Sequence, residues 1–170
     1  MQDKEYLDRL NGIISKLAFD RNTLWFLDLI YKLEVRFVDS GVETAGVTIK
    51  DFKPYLYINK GFVDKLTDEE YKGLILHEML HLALYHTVRS QDGFNHQQWN
   101  AACDLEVNSL IESYKMSLPK GALFPKQFKM PDKLSSEMYY RGLNQNQKQN
   151  QNQQNQQQNQ QQQGGGQGSS

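Results

Sequence analysis

Between Leu66 and Leu84 the chain carries its densest run of apolar positions: Leu74, Ile75, Leu76, Met79, Leu80, Leu82, Ala83 and Leu84. A helix with this content is apolar nearly all round, and such a helix is buried inside a domain. Its start is marked by Thr67 followed three residues later by Glu70, a capping box that satisfies two otherwise unpaired backbone N–H groups. Leu66 and Tyr71 stand where a hydrophobic staple closes, and Asp68 and Glu69 suit the positive end of the helix dipole. Upstream, Tyr6, Leu10, Ile13, Ile14 and Leu17 predict an amphipathic helix, and Leu24, Phe26, Leu27 and Ile30 a second one from about Asn22 to Lys32. β-Branched and aromatic residues then concentrate in Leu33 to Val38, Gly46 to Lys50 and Tyr55 to Asn59, three expected strands. Downstream, after a polar loop with Gln91-Asp92-Gly93, Trp99, Ala102, Cys103, Val107, Leu110 and Ile111 fall in rows of three and four, predicting a helix from Gln97 to Tyr114. The order predicts an α+β domain in which two long helices pack on a small mixed sheet.

The buried helix carries chemistry. His77-Glu78-Met79-Leu80-His81 is an H-E-x-x-H motif. At about 100° per residue, His77 and His81 project from one face, roughly 40° apart, so both can reach one metal ion. Glu78 lies at the edge of that face, placed to take a proton from an attacking water without being a ligand. A pair of hydrogen-bonded core histidines would explain His77 and His81 alone, but not the glutamate beside them. The pattern points to zinc-dependent hydrolysis of peptide bonds, with polypeptide as substrate.

A catalytic zinc takes three protein ligands and keeps a fourth position open. His86 is a poor third: on a continuing helix it stands about 140° from His81 and about 180° from His77. Proteases that use a downstream histidine turn the chain with a glycine, and Leu82-Ala83-Leu84-Tyr85-His86 has none. His86 is expected instead at the helix end, near the last carbonyls. Asp104 is the better candidate, bracketed one turn either way by Asn100 and Asn108 on an otherwise apolar helix, with Glu106 as the fallback. Cys103, the lone cysteine, is expected to be a buried free thiol rather than a ligand. Tyr85, His96, Tyr114, Tyr139 and Tyr140 are all candidates for steadying an oxyanion. An extended substrate is expected to add a strand along Val47 to Lys50 or Tyr55 to Ile58.

Four stretches carry a specific likeness: Tyr57-Ile58-Asn59, Leu66-Thr67-Asp68-Glu69-Glu70, His77-Glu78-Met79-Leu80-His81-Leu82-Ala83-Leu84, and Trp99 through Asn108. Pro119-Lys120-Gly121 and Leu134 to Tyr139 add a glycine-containing loop and a short helix. Together the chain resembles the metallopeptidase domain that precedes a VWA-like domain in many bacterial and phage proteins, over most of residues 22–143. The resemblance implies a minimal zincin-like fold, His77, His81 and Asp104 as metal-binding residues, and Glu78 as the catalytic residue. It also implies a VWA-like domain protein or an AAA+ ATPase as partner. In that family a polar linker leads to a second domain, whereas this chain stops where that domain would begin. It is therefore expected to be a fragment of a two-domain ancestor or to act with a separately encoded partner.

Composition narrows the setting. With 19 basic and 20 acidic residues the chain shows no footprint for nucleic acid or an anionic membrane. One cysteine means no internal disulfide, and Met1-Gln2-Asp3-Lys4-Glu5 opens no signal peptide, so a cytoplasmic protein is expected. Residues 144–170, asparagine and glutamine followed by glycine and serine, hold nothing apolar to offset ordering entropy. They are expected to be a disordered tail on a domain spanning residues 1–143. Two functions remain open: a working metallopeptidase, and a non-catalytic zinc-stabilised interaction module acting with a partner. A structural site closed by four protein ligands has no use for a general base, so Glu78 favours the enzyme.

Overall fold

The computed structural model describes residues 2–147. α1 spans Gln2–Ala18 and buries Leu10, Ile13, Ile14 and Leu17. The helix expected from Asn22 to Lys32 is much shorter: a 3₁₀ turn, Leu24–Phe26, leads into a single α-turn, α2, Leu27–Ile30. The polar residues at its start serve the backbone instead. Buried Thr23 donates its hydroxyl to the Leu17 carbonyl at 2.7 Å, and Asp20 accepts from the Asn22 N–H at 2.9 Å. Short polar side chains that bond the nearby backbone in this way favour turns over helix.

The sheet holds β1 (Glu34–Val38), β2 (Ala45–Lys50) and β3 (Lys53–Asn59) in the order β1-β3-β2. β2 and β3 form an antiparallel hairpin, turned by Asp51 and Phe52 in left-handed conformation (φ 49° and 61°). Two consecutive positive φ values match the right-handed twist of the strands they join. β1 runs parallel to β3, pairing Val35 with Leu56 and Phe37 with Ile58. Leu56 and Ile58 of β3 are fully buried in the main core with α1 and α4. Tyr55 to Ile58, one of the two segments expected to receive a substrate strand, thus lies on the central strand, with β1 on one side and β2 on the other. β2 is the edge on the other side of the hairpin.

Asn59 ends β3 and caps α3 (Lys60–Val63), accepting from Phe62 N–H at 2.9 Å. It also donates its amide to the Val42 carbonyl, and its backbone N–H to that of Thr44, so the loop entering β2 is pinned to the end of β3. α4 (Asp68–Ala83) begins with the capping box as expected: Glu70 N–H reaches Thr67 Oγ1 at 3.2 Å and Thr67 N–H reaches Glu70 Oε2 at 3.0 Å. Tyr71 is buried in the main core and Leu66 packs against it. At Tyr85 (φ 58°) the chain takes a left-handed step and a new helical turn begins, α5 (His86–Arg89).

α6 (His96–Ser113) crosses α4, with Trp99, Ala102, Cys103, Leu105, Val107 and Ile111 buried. The loop after it lies close on α4 at Gly73, where a Cβ atom would come within 1.9 Å of the Ser117 carbonyl oxygen. Only glycine permits that approach. After a 3₁₀ turn at Pro125–Phe128, α7 covers 136–147 and joins α6 in a second small core through Tyr139, Leu143, Ala102 and Leu105. Residues 144–147, past the expected domain boundary, are therefore helical; the rest of the expected tail lies outside the described residues. No described helix is long and apolar enough to cross a membrane.

Candidate metal centre

α4 and α6 bring three donors together. Nε2 of His77 lies 2.9 Å from Nε2 of His81, and Asp104 Oδ1 from α6 lies 3.6 Å and 3.3 Å from these two atoms. Around a tetrahedral ion with bonds of about 2.0–2.1 Å, ligand atoms stand about 3.3–3.4 Å apart. The observed separations bracket that spacing. Two imidazoles and a carboxylate are also a donor set common in catalytic sites, so these residues fit a small divalent cation.

The negative charge of Asp104 and Glu78 favours a cation at this group, which without a metal is a proton on His77. Burial works against ionised Asp104, yet hydrogen bonds and charge from His77 and His81 hold its carboxyl well below the usual carboxylate range. Burial likewise opposes a charged His77, but Asp104 and Glu78 outweigh it and raise its pKa. His77 is oriented from behind: its Nδ1 lies 2.8 Å from Asn108 Oδ1, and the Asn108 amide nitrogen donates to the Leu123 carbonyl at 2.9 Å. Asn108, expected as a donor beside the Asp104 carboxylate one turn away, supports His77 instead.

Glu78 is 5% exposed and lines two recesses that meet at Thr44, His77, Glu78 and Asp104. One, about 340 Å³, is walled by Thr44 to Val47 at the start of β2, by His81 and by Asn100. The other, about 390 Å³, is walled by apolar side chains, among them Phe62, Leu74, Leu118 and Leu123, with Lys120 alongside. A cleft thus passes over the three donors, polar on one side and apolar on the other.

Other expected residues lie elsewhere. Tyr85, His96, Tyr114, Tyr139 and Tyr140 line neither recess. Tyr139 donates to the Pro131 carbonyl, and Tyr140 stacks on Phe94 while its oxygen accepts from Asn95 N–H. The polar groups that do line the cleft include Asn100, Thr87, Thr44 and Lys120. Glu106, the fallback ligand, points away from the group, toward His86 and Ser136. Cys103 is a buried free thiol pushed up to about 12, chiefly by burial.

His86 also departs from expectation. It is buried rather than set against the last carbonyls of α4; Arg89 reaches the Leu84 carbonyl instead, at 2.8 Å. Its ring lies between His81 Nδ1 and Glu106 Oε2, at 3.0 and 3.1 Å. Burial, aided by the charge of His81, lowers the His86 pKa despite Glu106. Burial works against ionised Glu106, but His86 and Ser136 draw it down to about 2. The signal that was available for this pair is Glu106 itself, a carboxylate set between the buried Leu105 and Val107.

Residues 22–170 match the family described as "Putative metallopeptidase domain", and the chain belongs to that family. No curated protein matches the chain significantly. At the level of the family this is a metal-dependent peptidase domain, with a His77–His81–Asp104 group able to hold a metal ion.

Proposed function

We propose that the protein is a zinc-dependent peptidase in which His77, His81 and Asp104 hold the ion and Glu78 is the general base. One observation carries this reading: the three donors converge at a cleft that Glu78 also lines. Zinc, when bound, polarises a scissile carbonyl and makes water acidic enough to react near neutral pH. Glu78 takes the proton of the attacking water and returns it to the leaving amine. Asn100 and Lys120, which line the cleft, steady developing negative charge. An extended polypeptide pairs with the β2 edge where Thr44 to Val47 form the wall, and lays an apolar side chain in the recess of Phe62, Leu74 and Leu118.

A purely structural zinc module is less well supported. Such sites are closed by four protein ligands, and the group among the described residues has three. A separately encoded VWA-like or AAA+ partner belongs to the same proposal and rests on family resemblance. The test is metal analysis joined to cleavage of a broad set of denatured proteins. The proposal requires one zinc per chain and zinc-dependent cleavage, both lost in His81→Ala. Full zinc occupancy in His81→Ala and Asp104→Ala would overturn the ligand assignment.

A further inference from the structure

The His81 ring is engaged at both nitrogens. Nε2 belongs to the candidate metal group, while Nδ1 lies 3.0 Å from Nδ1 of His86. Nε2 of His86 lies 3.1 Å from Glu106 Oε2. Glu106 is fixed in turn by the first residue of α7: Ser136 donates its backbone N–H at 2.8 Å and its hydroxyl to the same carboxylate oxygen. Arg89 stands 3.7 Å from that oxygen while its guanidinium clamps Glu137, with contacts of 2.7 and 2.8 Å.

A neutral imidazole has one N–H and one lone pair, and an ionised carboxylate only accepts. If Nε2 of His81 gives its lone pair to a cation, the ring proton is on Nδ1 and must be donated to Nδ1 of His86. That leaves the His86 proton on Nε2, donated to Glu106. One order of protons satisfies the whole chain, and it presents a lone pair at the metal group. We infer that His86 and Glu106 are positioning residues of the metal centre, a buried His81–His86–Glu106 chain that sets the tautomer and ring orientation of His81. The inference rests on the reading of His77, His81 and Asp104 as ligands. It extends to His81 what Asn108 does for His77, with one more link, because the Tyr85 step swings His86 back under α4.

A histidine that merely fills space gives a different result from one that accepts a hydrogen bond. Zinc affinity of the full chain is measured by competition with a chromophoric chelator. His86→Ala weakens it by about 10–100-fold, the usual effect of losing such a partner. His86→Asn, whose amide oxygen can stand near the lost Nδ1, recovers a large part. His96→Ala, at the exposed start of α6, changes nothing. In the zinc-loaded wild type, long-range ¹H–¹⁵N spectra place the proton of His81 on Nδ1 and that of His86 on Nε2. Wild-type affinity in His86→Ala, no recovery in His86→Asn, or a His81 proton on Nε2 each overturns the inference. Should His86→Ala fail to fold without metal, the wild-type spectra decide: a His81 proton on Nε2 or a His86 proton on Nδ1 contradicts it. A chain that binds zinc tightly but cleaves nothing loses the peptidase reading and keeps this one; a chain that binds no zinc loses both.

Discussion

The two ends of α4 are secured by different means. At the N-terminal end Thr67, Glu70, Leu66 and Tyr71 act within five residues of one another, and Arg9 adds bonds to the Val63 and Leu66 carbonyls. At the C-terminal end the helix stops at a left-handed Tyr85, and the groups beneath it come from far along the chain: Glu106 and Ser136 on His86, Glu137 on Arg89. The first end sets where the helix begins and how firmly it is held. The second lies behind His81 and bears on how the metal group is aimed. Damage to the first should cost stability and spare the metal, whereas damage to the second should reach the metal even where the fold survives.

The largest effect belongs to the donors. Asp104→Ala removes the one ligand that α6 supplies, and equilibrium dialysis should find stoichiometric zinc lost. Retained zinc would separate the metal from the α4–α6 crossing altogether. Next comes Gly73→Ala, on the face of α4 under the 117–123 loop. Its Cβ meets the Ser117 carbonyl at 1.9 Å, so the loop must shift, at a cost of about 1–3 kcal/mol in urea unfolding. The apolar recess, bounded by Leu118 and Leu123, should be altered with it.

At the N-terminal end, Thr67→Ala should cost about 1 kcal/mol of stability through the lost cap. Zinc affinity should be unchanged; a parallel fall in affinity would erase the contrast between the ends. A smaller effect appears on acidification of the metal-free chain. The Glu106 carboxyl is at about 2 in the folded chain against an ordinary 4.5. A carboxyl lowered by folding contributes stability that is complete above its unfolded pKa and disappears as pH falls through the folded one. The gap in urea midpoint between wild type and Glu106→Gln should therefore narrow from pH 5 to pH 2. A gap that widens as pH falls would mean that ionised Glu106 is not stabilised by His86 and Ser136.

Much of this was legible along the chain, and the exceptions have a common cause. The start of α4 follows from the cap at Thr67 and the span of α6 from its periodicity, both local signals; the Asn95 cap that starts α6 one residue before Gln97 is also local but is not part of that reading. Asp104 stood out through its neighbours Asn100 and Asn108, which share its face at helical spacing; one lines the cleft and the other bonds His77. The second helix was overestimated because its apolar rhythm is real while Asp20 and Thr23 divert the backbone into turns. The order β1-β3-β2 depends on pairing across the sheet, which alternation within a strand does not encode. His86 was misplaced because the left-handed step at Tyr85 has no glycine to announce it, and its partners lie 20 and 50 residues away. Polar groups satisfied at such distances leave only the trace of a charge among buried positions.

The proposed function makes Glu78 a base beside a metal it does not bind. Glu78→Gln keeps the size of the side chain and can hydrogen-bond water, but cannot take its proton. Both forms are loaded with zinc, their metal content is verified, and their rates are compared on one cleaved polypeptide. Equal zinc and a rate lower by at least ~10²-fold are expected in Glu78→Gln. Equal cleavage by the two forms would contradict that role.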